Sequence, residues 1–271
     1  MWHFLWLIPL GLIIGAYGTL IGAGGGFVLM PVLLLLYPGE KPEILTSISL
    51  AVVFFNALSG SWAYAKMKRV DYKSGLLFSA ATVPGAILGS FSTALISRQL
   101  FNIIFGLLMI AVSAFLLLSP KRKKETNGDI ISYYFTRNLT DANGSSHTFS
   151  YNPIIGVVSS LFVGYISSLL GIGGGIIHVP VLVYLLNFPE HIATATSHFT
   201  LAVMALTGTI VHVSTGVFSR GVRRTIFLAI GVIFGAQFGA RLSSRIHGRW
   251  IIRGLAIALG FVGIRIIILA L

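Results

Sequence analysis

The sequence predicts an all-α polytopic membrane protein of two homologous four-segment halves, each opening on a glycine-broken segment, with a small β-hairpin between them. Three observations predict this fold. Apolar stretches recur from the first residues to the last. Composition leaves no material for a soluble domain: the 271 residues are 55% hydrophobic and 10% charged, with a mean hydropathy of +0.90, against about 25% charged residues in soluble domains. A glycine–proline pattern also occurs once in each half with identical internal spacing.

A transmembrane helix needs about 20 consecutive apolar residues. Segments 2–38, 44–65, 73–96, 99–119, 151–189, 193–218, 225–244 and 250–271 meet or approach that length. The start, Met1-Trp2-His3 before an apolar run, has no basic n-region and no cleavage site, so it reads as a retained segment rather than a signal peptide. The longest polar connection divides the chain into a first repeat (1–119), a linker (120–150) and a second repeat (151–271). In the linker, Ile130–Tyr134 and His147–Tyr151 flank the turn signal Asp141-Ala142-Asn143-Gly144, which predicts a β-hairpin. Lys121-Arg122-Lys123-Lys124 place it in the cytoplasm, where it is expected to be dispensable for any site in the membrane.

The halves repeat. Gly22-Ala23-Gly24-Gly25-Gly26 precedes Pro31, and Gly171-Ile172-Gly173-Gly174-Gly175 precedes Pro180; Thr46-Ser47 pairs with Thr196-Ser197, and Gly85 and Gly89 pair with Gly235 and Gly239. Internal duplication is characteristic of transporter folds. Segments 2–38 and 151–189 are too long for simple spans: as one helix each would extend about 55 Å at 1.5 Å per residue, against a hydrocarbon core near 30 Å. Consecutive glycines in their middles, each costing a helix roughly 1 kcal/mol, predict a broken helix or a re-entrant turn. If these segments cross once, the repeats are parallel; if they return, the repeats are inverted. The basic residues balance between the two, and the excess length favours inversion.

The duplicated Gly-x-Gly-Gly-Gly-x4-Pro pattern, Ala195-Thr196-Ser197 and the four-segment duplication resemble the TauE/SafE family of sulfite exporters and related permeases, over nearly the whole chain. The resemblance implies a multi-pass carrier in a bacterial or archaeal inner membrane for sulfite, sulfonates or comparable small anions. The first half departs from it with Leu45-Thr46-Ser47 in place of Ala-Thr-Ser.

The residues offer a matching site. A break exposes unpaired N–H groups at the start of its second helix, where the macrodipole adds partial positive charge, so Gly24, Gly25, Gly26, Gly173, Gly174 and Gly175 are candidate anion contacts; their alternative use is close helix packing. Thr46, Ser47, Thr196 and Ser197 supply hydroxyl donors, with Ser49 and Thr200 nearby, and such residues also serve as caps and interhelical bonds. Asn56 and Gln237 lie mid-segment as contacts or as glue between helices. His198 adjoins Ser197 and His178 follows the second glycine cluster, so both are candidates for proton coupling as well as contact. Pro31 and Pro180 leave the Phe27 and Ile176 carbonyls without a helical donor, acceptors for Na⁺ or simply kinks. Arg241 and Arg265, near segment ends, read as snorkelling cations.

Other functions are weakly supported. The seven acids, Glu40, Glu43, Asp71, Glu125, Asp129, Asp141 and Glu190, all lie in connections or at segment ends, and no Ser-His-Asp, paired-carboxylate or phosphate-loop arrangement occurs, so neither an enzyme nor a cofactor is expected. The net charge of +12 sits between apolar segments, where it meets lipid headgroups rather than nucleic acid. Cysteine is absent, and His178, His198 and His212 have no acid or thiol beside them, so no metal is assigned. The partners expected are the bilayer, a small anion and a coupling ion, H⁺ or Na⁺. A non-transporting subunit of a larger complex and a membrane-embedded enzyme are the alternatives.

Overall fold

The computed structural model describes residues 4–118, 135–243 and 249–270, and its helices follow the eight apolar segments in order. The first segment is split into α1 (Leu7–Ile21) and α2 (Gly26–Leu36), followed by α3 (Pro42–Lys66), α4 (Tyr72–Thr93) and α5 (Arg98–Leu118). Strands β1 (Phe135–Thr140) and β2 (Ser146–Tyr151) come next. The second long segment is split in the same way, into α6 (Pro153–Leu170) and α7 (Gly175–Pro180), the latter continued by a π-helical turn at Val181–Leu185. A further three helices, α8 (Glu190–Ser214), α9 (Val222–Leu242) and α10 (Arg249–Ile268), complete the chain, with a 3₁₀ turn at Val217–Arg220 before α9.

Local chemistry sets the boundaries. Pro42 and Pro153 open α3 and α6, where a missing N–H costs nothing. The Asp71 carboxylate accepts from Ser74 N–H to cap α4, and Asn152 caps α6 in the same way. By length and composition α3, α4, α5, α6, α8 and α9 can each cross a membrane, and α10 has 20 residues.

Contacts give the directions. Methyl groups built on Gly231, Gly235 and Gly239 would strike the carbonyls of Ile8, Leu12 and Ala16 in turn, so α9 runs parallel to α1. Gly85 and Gly89 meet the Leu161 and Tyr165 carbonyls in the same sense, so α4 runs parallel to α6. In contrast, α3 and α8 are antiparallel, with Gly60 against His198 and Gly208 against Leu50, and so are α5 and α10, with Gly106 against Ile267 and Ser113 bonded to the Ala256 carbonyl at 2.6 Å.

Neither split segment carries the chain across. Phe4, just before α1, stacks on Phe227 near the start of α9, and Glu40, just after α2, pairs with Arg224 at 2.9 Å. At the other end Tyr151, before α6, packs on Phe188, after the π turn, with ring centroids 5.2 Å apart. Each pair of short helices therefore leaves at the end where it began. Even α6, long enough to span, is only the outward arm of such a pair. Helices α3, α4 and α5 then make three passages in one half, and α8, α9 and α10 make three in the opposite sense in the other. The contact pattern is symmetric under exchange of the halves: α1 packs on α9 as α6 packs on α4, α3 packs on α9 as α8 on α4, and α3–α8 and α5–α10 pair counterparts. Close approach of backbones, set by glycine, is how helices associate where lipid removes the hydrophobic drive.

The β-hairpin keeps the predicted turn, with the Asp141 carboxylate accepting from the N–H groups of Asn143 (2.9 Å) and Ser145 (3.0 Å). The second strand lies where expected. The first is at Phe135–Thr140, and the expected Ile130–Tyr134 falls outside the described residues, as do Lys121–Lys124. The hairpin is docked against the bundle. Ala142 N–H bonds to the Met67 carbonyl at 3.0 Å, Arg137 pairs with Asp71 at 3.8 Å, and the hydroxyls of Tyr151 and Ser74 bond at 2.6 Å. Phe149 and Tyr151 are buried against Phe78 and Phe188. The end of the bundle that carries it is called the β end below, and the other the distal end.

Candidate functional site

The two breaks form because a run of glycines takes left-handed backbone. Gly22 ends α1 at φ +82° and Gly171 ends α6 at φ +67°; Gly24, Gly25, Gly173 and Gly174 remain between φ +68° and +78°. A side chain in that region costs about 1–2 kcal/mol per residue. Gly26 and Gly175 then start α2 and α7. The breaks abut one another: a methyl on Gly26 would lie 2.6 Å from the Ile172 carbonyl, and one on Gly175 2.6 Å from Ala23 Cα. Gly24 and Gly173 both face Val53, and Gly24 also faces Leu201, the buried middles of α3 and α8. The breaks thus meet at the centre of the bundle.

Two helix starts converge there. In α2 the first carbonyl to accept is that of Gly25, from Val28 and Leu29, and in the second half that of Gly174, from Ile177 and His178. Amides ahead of these point out of the helix ends, apart from those of Gly24 and Gly175, which bond to the Gly18 carbonyl at 3.2 Å and the Gly173 carbonyl at 2.8 Å. Both starts are backed by two further helical turns, Gly26–Leu36 and Gly175–Leu185, whose dipoles place partial positive charge at the breaks.

Side chains close around them unequally. Asn56 is fully buried; its Oδ1 accepts from Thr19 Oγ1 at 3.2 Å, while its amide nitrogen has no partner and lies 3.6 Å from where a Gly25 side chain would begin. His198 bonds through Nε2 to the same Thr19 hydroxyl (3.3 Å), its ring faces the Gly22 carbonyl, and Tyr64 packs edge-on to it while donating to the Thr19 carbonyl at 2.7 Å. A second chain joins Ser160 to His178 Nε2 and His178 Nδ1 to Ser197, each at 3.3 Å. Thr46 lies against Gly171 with its buried hydroxyl unpartnered. Two other predicted hydroxyls are turned elsewhere: Ser47 donates to the Ile44 carbonyl of its own helix (2.7 Å), and Thr196 accepts from Asp71 N–H (3.1 Å), tying α8 to the loop before α4. Gln237 bonds to Ser59 across α9 and α3, the glue role. Among the described residues no three His, Asp or Glu side chains converge as metal ligands would.

The pairing of Thr46-Ser47 with Thr196-Ser197 also requires correction. Gly22 meets Thr194, and Gly171 meets Thr46. Thr46 is therefore the counterpart of Thr194, and Ser49, whose hydroxyl bonds to the Gly171 carbonyl, is that of Ser197. The sequence carries this register in Ala57-Leu58-Ser59-Gly60 and Ala205-Leu206-Thr207-Gly208. The connections between helices differ in length between the halves, so one fixed offset misaligns α3 and α8. Thr19, Ser160 and Tyr64 were not singled out in the sequence. For Thr19 a signal exists, because Thr19 and Ser168 stand at equal distances before Gly22 and Gly171.

Comparison with known proteins follows the same lines. The family described as "Sulfite exporter TauE/SafE" matches residues 7–266. The chain is 34% identical over 272 residues to the "Probable membrane transporter protein YunE" of Bacillus subtilis, covering 97% of each chain. It is 23% identical to a "probable membrane transporter protein" of Methanocaldococcus jannaschii, over 97% of this chain and 96% of that one. A "probable membrane transporter protein" of Xylella fastidiosa is 27% identical over 74% of this chain and 70% of its own length. No solved structure matches.

Proposed function

We propose that this chain, which belongs to the TauE/SafE family, is a secondary carrier that passes sulfite, a sulfonate or a related small sulfur oxyanion through the abutting helix breaks. Its membership makes it a multi-pass membrane transporter and not an enzyme. The finer reading rests on one observation: two helix starts meet at the centre of the bundle beside a buried, unpartnered donor, the Asn56 amide, while every acid among the described residues lies at a helix end or in a connection. An oxyanion needs several donors and no opposing carboxylate, and a carboxylate at that depth is itself costly in lipid.

In this reading the breaks at Gly24–Gly26 and Gly173–Gly175 supply backbone donors through the amides of Gly25, Gly26, Gly173 and Gly174, Asn56 adds a side-chain donor beside them, Thr46 and Ser197 are contacts on the way in from the distal and β sides, and His198 and His178, each held by hydroxyls, serve a coupling proton. The three-passage halves act as inverted repeats, a construction that suits alternating access about a midplane site. The β end, which carries Lys66, Lys68, Arg69 and Lys73 and the ends of α5 and α9, faces the cytoplasm. Counterflow of radiolabelled sulfite into proteoliposomes containing this chain alone tests the proposal. Uptake that is saturable in the native chain and at least tenfold slower in Thr46→Val is expected. No uptake of sulfite, thiosulfate or a short alkanesulfonate by the reconstituted, correctly folded chain would refute it.

A further inference from the structure

The exchange of halves that relates the two breaks also relates two groups of polar side chains, one on each side of them, and the two groups are used differently. On the β side, Thr19, Asn56, Tyr64 and His198 bond or pack onto one another. On the distal side the counterpart of Thr19 is Ser168, and that of Tyr64 is His212, each four residues beyond Gly60 or Gly208. Here the groups are buried and unpartnered: Ser90, Ser167, Ser168 and His212 are all at most 2% exposed, and the three hydroxyls and His212 Nε2 have no hydrogen-bond partner.

These groups come from three helices to one place. A methyl built on Gly208 would lie 3.0 Å from Ser90 Oγ and 3.5 Å from Ser168 Oγ. His212 stands one turn further along the same face of α8, and Ser167 Oγ faces the second break, 2.6 Å from where a Gly174 side chain would begin. Buried polar groups are nearly always paired, so several orphans in one small volume call for an occupant. A route leads toward them. A groove of about 450 Å³ opens at the distal end between Pro38–Glu43 and Thr93–Arg98. Thr93, in its wall, is one turn from Ser90 on α4 and bonds to the Leu169 carbonyl beside Ser168. The groove's carboxylates are occupied, Glu40 by Arg224 and Glu43 by Lys41.

We propose that Ser90, Ser168 and His212, with Ser167 bridging to the breaks, form a second anion chamber on the distal side, between that groove and the central site. The chamber offers hydroxyl and imidazole donors and no carboxylate, so its occupant is the same small oxyanion, in transit. This inference rests on the reading of the breaks as an anion path. It differs from that reading in naming a separate site whose loss leaves the central one intact.

Calorimetric titration of the purified full chain with sodium sulfite, alongside Ser90→Ala/Ser168→Ala and Asn56→Met, tests it. The native chain should bind two sulfites. The serine double variant should lose one of them or bind it at least tenfold more weakly, and Asn56→Met should affect the other. Gly208→Ala, whose added methyl would stand against the Ser90 and Ser168 hydroxyls and the end of the Leu50 side chain, should reproduce the serine result. One sulfite per native chain, weakened only by Asn56→Met, would overturn the second chamber and leave the central site standing. Unchanged stoichiometry and affinity in the serine variant would show that the chamber holds water alone and would overturn it too. A native chain that binds no sulfite at all would remove both readings together.

Discussion

Replacing Asn56 by methionine separates binding from folding more cleanly than any other change at the breaks. Methionine already stands at the counterpart position, Met204, which is buried at 1% exposure, so the substitution introduces a side chain that the fold accepts in its other half. Two things are lost. The first is the acceptor for Thr19 Oγ1, a neutral bond at 3.2 Å with a net worth of about 0.5–1.5 kcal/mol. Thr19 retains His198 as a partner at 3.3 Å. The second is a buried amide nitrogen with no partner, whose removal relieves a desolvation cost of roughly 1–3 kcal/mol. The two offset each other, so thermal unfolding in detergent without ligand should move little, or upward.

Binding should move the other way. A donor bonded to a charged ligand contributes about 1.5–3 kcal/mol, which corresponds to roughly a ten- to hundredfold loss in affinity. The assay is calorimetric titration with sulfite on native and Asn56→Met chains that elute identically, with Ser113→Ala as a control remote from the breaks. Ser113 bonds to Ala256 on the outer α5–α10 pair, so its loss should leave affinity unchanged. Equal affinities in native and Asn56→Met chains would refute the reasoning. So would a loss of binding matched by an equal loss of unliganded stability, because the residue would then act on the fold rather than on the anion.

Three further outcomes are expected. Phe149→Ala in the docked hairpin should destabilise the chain by roughly 3–5 kcal/mol, and replacing the hairpin by a flexible linker should weaken sulfite binding, because Phe78, which it covers, packs edge-on against His178; equal thermal stability and binding would show the hairpin to be dispensable for the site. Gly235→Ala and Gly85→Ala, whose methyls would strike the Leu12 and Leu161 carbonyls, should each cost about 1–3 kcal/mol by overpacking, measured by thermal unfolding against Gly39→Ala, which meets nothing within 4 Å. In the naturally cysteine-free chain, Gly39→Cys and Ser219→Cys should react with a membrane-impermeant maleimide in intact cells and Asn143→Cys only after permeabilisation; the reverse pattern would invert the orientation.

How much of this was legible in the sequence depended on whether the physics involved was local. The breaks were legible because a conflict between segment length and bilayer thickness, with glycines at the point of conflict, has few solutions. The β-turn was legible because Asp141 and Gly144 are its own chemistry. Inversion was legible only as a preference, since the basic residues balance; what decides it is the pairing of Glu40 with Arg224 and of Tyr151 with Phe188, contacts between elements far apart in the chain. The hydroxyls were the least legible. Adjacent residues on a helix point about 100° apart, so of Thr46 and Ser47 one meets the second break and the other bonds back to Ile44, and no composition argument distinguishes them. Thr19 and Ser160 matter through partners on other helices, which a single sequence does not reveal.

The two halves share backbone contacts but differ in their interior side chains, and that division follows from what each does. Gly85 against the Leu161 carbonyl and Gly235 against the Leu12 carbonyl are one backbone contact made twice, whereas Gly60 and Gly208 meet side chains, those of His198 and Leu50. A Cβ in either helix-packing pair would push two helices apart, so the glycines are fixed by geometry alone. At the positions facing the breaks no such constraint acts, and the halves differ: Asn56 stands against Met204, His198 against Leu50, His178 against Leu29. A pair of identical polar cages would hold an anion equally well on both sides of the centre. On the proposed reading, unequal cages give the anion different affinities on the two sides of the centre, while the ion gradients set the direction of net flux. The test lies in a swap: Leu50→His with His198→Leu exchanges the imidazole between counterpart positions without altering composition. If the asymmetry of the cages sets the preferred side of binding, the swapped chain should reverse the ratio of sulfite affinities measured from the two faces of oriented proteoliposomes. An unchanged ratio in a folded, active swap would place the source of the affinity difference outside the breaks.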